Sequence, residues 1–198
     1  MKQTFYDEYY KELKTAFENG NPSIRYNSDR AHNAVIMCFM FDHSNVVNMF
    51  CGQMSVLRTG FFHKINENNE YNDDQLGDEL RGHLQNSLVR FLAKDGTLFN
   101  ILFESYNEAY SQDLVCVDAM KRAFVEGKLD MKVLADDLKI RNQLDHFTVS
   151  DAGMYRFEDD KEQHSAICSF NDRESTSQLQ RNFQKLYSLE DNKAVRLA

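Results

Sequence analysis

The sequence predicts a single α/β domain in which helices flank a mixed β-sheet, and three observations lead to this fold class. Apolar residues recur at helical spacing in several segments, two short runs are almost wholly apolar, and the C-terminal third alternates with a period of two. The 198-residue chain is long enough for one core and has no stretch rich in glycine, serine or proline to serve as a linker. We therefore expect one domain over residues 1–198.

Amphipathic helices are predicted where apolar side chains recur every three or four residues. Phe5, Tyr9 and Leu13 form the first such stripe. The predicted helices cover 4–19, 56–65, 76–92 and 111–126, followed by a closing helix with its stripe over 179–186. Asn171, with Glu174 three residues later, matches a capping box at the start of that closing helix.

Strands are predicted where the pattern is short and apolar or alternates. The runs 34–41 and 97–103 are typical of strands that helices cover on both faces, and we expect 34–41 to be central. A weaker strand is expected over 129–134. Over 147–170 the alternation and two turn signals predict a three-stranded β-meander, which the closing helix follows. The polar run 66–74 is expected to be a mobile loop, and the tail 189–198 to fray.

Composition excludes several classes of function. The net charge is −8 and no cluster of basic residues offsets it, so general nucleic-acid binding is disfavoured. No apolar run is long enough to span a membrane, and the acidic start does not resemble a signal peptide, so a cytoplasmic protein is expected. The four cysteines have no zinc-site spacing and are expected to be buried free thiols. No cofactor is expected.

Motifs of the common hydrolases and nucleotide-binding proteins are missing from the sequence. Polar residues do follow the two predicted central strands: Asp42 and His43 follow the first, and Glu104 follows the second. If both strands ended at one edge of the sheet, these three side chains could ligate a metal ion. The simpler interpretation is that they close turns or cap the next element.

Residues 90–190 resemble one half of the phospholipase D superfamily in the order of elements and in a few positions. That family carries an HxKxxxxD motif on one strand and a GSxN motif on a later one. Asp151 matches the motif aspartate, whereas Leu144 and His146 stand where the family has its histidine and lysine. Ser169 and Asn171 match the serine and asparagine of GSxN, with Cys168 in place of the glycine. The spacing from Asp151 to Ser169 is longer than in the family by about one hairpin.

The resemblance implies a phospholipase D-like half-domain without the usual active site. In the family the motif histidine is the nucleophile and the lysine binds phosphate, and a leucine cannot act as a nucleophile. We therefore expect a noncatalytic binding or assembly module that acts as a sensor or adaptor in an intracellular complex, with bacterial defence as one setting. Its ligand groove is expected near His146, Arg156, Ser169 and Asn171. Expected partners are another protein or copies of itself, and an anionic small molecule or lipid headgroup.

The alternative is an enzyme, a phosphodiesterase or nuclease with a composite site. Two versions of that site are open. His146 could replace the missing nucleophile, together with Asp151, Ser169 and Asn171. In the second version, Asp42, His43 and Glu104 would hold a metal ion.

Overall fold

A computed structural model describes residues 4–27, 29–68, 71, 73–135, 145–160 and 165–197. Over these residues the helices are α1 (Phe5–Glu18), α2 (Arg30–His43), α3 (Thr59–Glu67), α4 (Leu76–Ala93), α5 (Val117–Val125) and α6 (Arg173–Tyr187). The strands are β1 (Ser23–Asn27), β2 (Val46–Cys51), β3 (Leu98–Phe103), β4 (Leu129–Val133), β5 (Phe147–Ser150), β6 (Met154–Asp160), β7 (Ser165–Phe170) and β8 (Lys193–Ala194).

All of these strands belong to one mixed sheet, in the order β1-β7-β6-β5-β2-β3-β4-β8. Strands β2, β3 and β4 run parallel to one another, and the other pairings are antiparallel. The predicted mixed α/β fold is therefore confirmed. The strands β5, β6 and β7 form the predicted meander, and α6 follows it as the predicted closing helix.

Helices cover the two faces of the sheet unequally. The larger core joins one face to α1–α5 through side chains such as Leu13, Phe39 and Leu84. The smaller core lies on the opposite face, where Phe183 of α6 packs against Phe50 and Phe147. Full burial of one such side chain contributes roughly 1.5–3 kcal/mol, so both cores stabilise the sheet.

The run 34–41, predicted as a central strand, belongs instead to the helix α2. Every residue of this run is buried, so the helix is apolar on all sides. A short, wholly apolar pattern does not distinguish a buried helix from a buried strand. Asp29 begins the helix, because its side chain accepts a hydrogen bond from the backbone N–H of His32 at 2.8 Å. The central strand is β2, which the sequence analysis did not predict.

Three other local expectations are also corrected. The helix predicted over 111–126 begins only at Val117, and a 3₁₀ helix over Glu108–Asp113 precedes it. Asp172, not Asn171, caps α6, since its side chain accepts from the N–H of Ser175 at 3.0 Å. The short strands β1 and β8 were not predicted. Their pairing partners are distant in sequence, and a pattern in one segment does not reveal such pairings.

The two segments expected to be mobile are only partly described. Residues 69, 70 and 72 of the 66–74 loop lie outside the described residues. Within the tail, β8 pairs with β4, and Val195 is buried and donates its N–H to Met131. Among the described helices, none has the length and apolar content needed to cross a lipid bilayer.

Candidate functional site

A cavity of about 320 Å³ opens where the parallel strands β2 and β3 end. Ligands of open α/β sheets bind at this edge, beyond the carboxyl ends of the strands. Apolar side chains of α2 and β2, Met37 and Met49, form part of its wall. The charged part of the wall comes from the loop after β3, from the start of β5 and from β6. Its residues are Glu104, His146, Arg156 and Glu158, which we call the His146 cluster.

His146 lies between two carboxylates. Its Nδ1 is 2.8 Å from Oε2 of Glu158, and its Nε2 is 2.9 Å from Oε2 of Glu104. The His146 and Glu158 side chains are each only 13% exposed, whereas Glu104 is 33% exposed. Both carboxylates line the cavity, and Glu158 is the more buried of the two.

Arg156 supports the Glu158 carboxylate from the same strand. Arg156 and Glu158 are two residues apart on β6, so their side chains lie on one face of the sheet. The Arg156 guanidinium donates through Nη2 to Oε1 of Glu158 at 3.4 Å and through Nε to Oδ1 of Asn33 at 2.9 Å. Asn33 is buried in the first turn of α2, so the helix that was predicted as a strand supplies one of the site residues.

Hydrogen-bond chemistry relates the imidazole ring of His146 to the two carboxylates that flank it. Ionised carboxylate oxygens only accept hydrogen bonds, so when both carboxylates are ionised, both ring nitrogens of His146 donate and neither keeps a free lone pair. Burial tends to raise the pKa of Glu158. The hydrogen bond from His146 and the charge of Arg156 outweigh this effect, so the pKa lies below its ordinary value. Glu158 is thus held in its ionised form, with the His146 ring and the Arg156 guanidinium beside it.

The loop after β2 holds the imidazole ring in position. A methyl group at Gly52 would lie 2.9 Å from Cε1 of His146, so only glycine leaves room for the ring here. Phe50 contacts the ring edge to face, with centroids 5.6 Å apart. Two residues after Gly52, Met54 is buried with a left-handed φ of 54°, which non-glycine residues adopt only at a cost. The backbone of this loop is therefore shaped around the cluster.

Three of the residues predicted from the sequence meet at this cavity: His146 and Arg156, proposed for the ligand groove, and Glu104, proposed for a metal. Five others lie elsewhere: Asp42, His43, Asp151, Ser169 and Asn171. Asp151 accepts hydrogen bonds from the N–H groups of Asn45 and Val46, both at 3.0 Å, at the start of β2. Leu144, the counterpart of the motif histidine, lies outside the described residues.

Ser169 and Asn171 make structural hydrogen bonds away from the cavity. The fully buried Ser169 donates from Oγ to the carbonyl of Ser23 at 3.0 Å. Asn171 has a left-handed φ of 61°, and its Nδ2 contacts the carbonyl oxygens of Ala16, Phe17 and Asn21. These contacts join the end of β7 to the C-terminal end of α1.

The alternative metal ligands are not brought together. Asp42 and His43 end α2 and directly precede β2, whereas Glu104 follows β3, which runs parallel to β2. The length of a six-residue strand, at about 3.3 Å per residue, therefore separates Asp42 and His43 at one edge of the sheet from Glu104 at the other. Asp42 instead accepts hydrogen bonds from Tyr10, Ser87 and Arg90. Within the ranges described above, no three His, Cys, Asp or Glu side chains form a group that could hold a metal ion.

Sequence reasoning missed Glu158 and Asn33. The alternation of β6 was a usable signal for Glu158, because it places Arg156 and Glu158 on the same face of the sheet. The neighbouring strand, β5, begins directly after His146. Asn33 gave no such signal, since its position depends on 34–41 being a helix. Only the tertiary structure brings these two side chains to Arg156.

Comparison with solved structures identifies the fold. The chain is similar to the crystal structure of a phospholipase D family member, Nuc from Salmonella typhimurium, with a TM-score of 0.52 and 12% sequence identity. The match covers 89% of this chain and 99% of that chain. The predicted phospholipase D-like fold is therefore confirmed; likeness at this level of identity concerns the fold alone. No family model and no curated protein matches the sequence.

Proposed function

We propose that the chain is a noncatalytic phospholipase D-like module that binds a small ligand in the cavity at the His146 cluster and assembles with itself or another protein. The observation that carries this proposal is the position of His146 between Glu104 and Glu158, within 2.9 Å of both. A histidine nucleophile needs a lone pair on one ring nitrogen. A ring whose two nitrogens both donate to ionised carboxylates has none.

The charges of the cavity also favour binding over phosphoryl transfer. Phosphate sites present cationic and N–H donors to the ligand. Here two carboxylates border the cavity, and Arg156 directs two of its donor groups at Asn33 and Glu158. Glu104, the most exposed member of the ion-paired cluster, offers an acceptor. A ligand with a cationic or N–H donor group therefore fits better than the anionic small molecule or lipid headgroup expected from the sequence.

Thermal denaturation with two probes, agmatine and inorganic phosphate, tests this assignment. We expect agmatine, a small guanidinium compound, to raise the Tm of the wild-type protein and to have no such effect on Glu104→Gln. Any change in Tm that phosphate causes should be the same in the wild-type protein and in Arg156→Ala. A phosphate-dependent rise in Tm that Arg156→Ala abolishes would show that the cavity binds an anionic ligand and not one with a donor group.

A phosphodiesterase or nuclease is the second candidate, and one observation favours it. Glu158 contacts Nδ1 of His146, whose side chain lines the cavity, as in a carboxylate–histidine pair that prepares a nucleophile. Movement of the more exposed Glu104 would then have to free Nε2. Incubation with bis(p-nitrophenyl) phosphate, followed by intact-mass measurement, distinguishes the two functions. We expect neither hydrolysis nor a phosphohistidine adduct, and turnover that His146→Ala abolishes would establish the enzyme.

A cytoplasmic location and a role in bacterial defence stay predictions.

A further inference from the structure

The part of the cavity wall that the His146 cluster does not form includes sulfur-containing side chains. Met37 lies on α2, Met49 and Cys51 lie on β2, and Met54 follows in the next loop. We call these four residues the sulfur wall. Its three methionines are only 1–3% exposed. The cavity therefore joins a charged wall to an apolar one.

Helix α2 and strand β2 place these two walls next to each other. Asn33 and Met37 are four residues apart on α2, so they share one face of the helix. Asn33 accepts the hydrogen bond from Nε of Arg156 at 2.9 Å, whereas Met37, one turn further on, belongs to the sulfur wall. Met49 and Cys51 are two residues apart on β2, so both lie on the face of the sheet that packs against the larger core. A ligand in this cavity therefore contacts charged and apolar side chains together.

The sulfur wall carries no charge at neutral pH. Thioethers do not ionise, and burial raises the pKa of the Cys51 thiol to about 12, so this group keeps its proton. Among the described residues that line the cavity, the charged ones all belong to the His146 cluster. A charged group of a ligand is therefore bound at the cluster, and the rest of the ligand contacts apolar surface.

Methionine is a side chain that accommodates apolar ligands of varied shape. It is unbranched and polarisable, so it adapts to its neighbours, and its sulfur contacts aromatic rings favourably. Protein interiors are otherwise packed as densely as organic crystals and contain few voids. The volume of about 320 Å³ beside three methionines lies in the range of small-molecule sites, roughly 300–1,000 Å³.

We propose that the ligand of this cavity is an amphipathic organic cation. Its ammonium or guanidinium group binds at Glu104, and its apolar chain or ring packs against the sulfur wall. This inference rests on the proposed function, which assigned the donor group alone, and adds the apolar body to it. A ligand that is charged at both ends, such as agmatine, fits less well, because its second charge would lie against side chains that offer it no strong acceptor.

Isothermal titration calorimetry with a series of alkylguanidines tests the apolar part of the ligand. Methyl-, propyl- and pentylguanidine carry the same permanently charged head group and differ only in chain length. We expect the Kd to fall about fourfold with each added methylene group, because each one buries apolar surface. Pentylguanidine should bind at least about tenfold more tightly than agmatine, in which an amino group replaces the terminal methyl group.

The variant Glu104→Gln separates the contribution of the head group from that of the chain. It should weaken the binding of all three alkylguanidines by a similar factor and leave the increment per methylene group unchanged. Glu79→Gln is the matched control, because Glu79 is also 33% exposed and also pairs with a histidine, away from the cavity. This control should leave every Kd unchanged.

The ε-methyl signals of methionine in NMR spectra show where the alkyl chain lies. The signals of Met37, Met49 and Met54 should shift on titration with pentylguanidine, whereas those of Met120 and Met131 should not. The latter two are fully buried in the same core and are not among the described residues that line the cavity. Replacing each methionine singly with leucine, which has a similar volume, assigns the signals.

The outcomes separate this inference from the proposed function. Failure of all four guanidinium compounds to bind would overturn both. Three results would each overturn the amphipathic ligand alone and leave a polar donor ligand in its place. These are equal affinities for the three alkylguanidines, agmatine bound as tightly as pentylguanidine, and no shift of the methionine signals of the sulfur wall.

Discussion

Replacing Glu158 with alanine should destabilise the protein strongly, because it leaves the His146 ring and the Arg156 guanidinium without the carboxylate that both contact. Removing one partner of a buried ion pair costs about 3–5 kcal/mol. The His146, Arg156 and Glu158 side chains are 13–14% exposed, so solvent screens the remaining charges only slightly. We expect the free energy of unfolding to fall by about 3 kcal/mol. Glu158→Gln keeps an acceptor for Nδ1 and should cost about 1–2 kcal/mol.

Urea denaturation, monitored by circular dichroism, measures both changes. Glu79→Ala is the matched control, because Glu79 also pairs with a histidine, His83, but at 3.7 Å and with side chains 33% and 36% exposed. A surface pair of this kind contributes about 0–1 kcal/mol, so the control should change stability little. If Glu158→Ala costs no more than Glu79→Ala, the ion-paired description of the His146 cluster is refuted.

Three further predictions follow from the site and the core. The pKa of Glu158 is lower in the folded than in the unfolded chain, so its contribution to the free energy of unfolding is present above the unfolded value, near 4.5, and is lost as the pH falls through the folded value. The stability of Glu158→Gln should therefore decline less steeply in acid than that of the wild-type protein. Parallel pH profiles of unfolding for the two proteins would contradict this. Gly52→Ala should displace the His146 ring, which shifted imidazole signals in NMR spectra would show, and should cost about 1–3 kcal/mol of stability. The control is Gly82→Ala, at a helical position with open space around it, which should stabilise the chain by about 0.5–1 kcal/mol. Phe183→Ala empties the centre of the smaller core and should cost about 3–5 kcal/mol in urea denaturation, and a loss below 1 kcal/mol would show that α6 is not held to the sheet by this residue.

Much of the fold could be predicted from local pattern. The stripe of Leu80, Leu84 and Leu88 predicted α4 because a helix repeats its face every 3.6 residues, and these leucines are fully buried. The alternation over 147–170 predicted β5, β6 and β7 because successive residues of a strand face opposite sides. Both signals depend only on neighbours in sequence.

The central strand could not be identified in this way. The run 34–41 was assigned to the centre of the sheet, yet it forms α2, and β2 over Val46–Cys51 takes that place. Burial on all sides removes the polar positions that distinguish a period of two from one of 3.6. Which run becomes a strand therefore depends on the pairing of β2 with β3 and β5.

For the site, the sequence alone indicated which kinds of residue were present and which were missing. It identified His146 and Arg156 as candidates, through the resemblance to the phospholipase D superfamily and the chemistry of their side chains. It could not show that Glu104 and Glu158 hold the two nitrogens of His146, because those contacts join residues 42 and 12 positions apart. The tertiary structure alone decided them, since the order of strands in the sheet, and not spacing along the chain, determines which side chains meet at its edge.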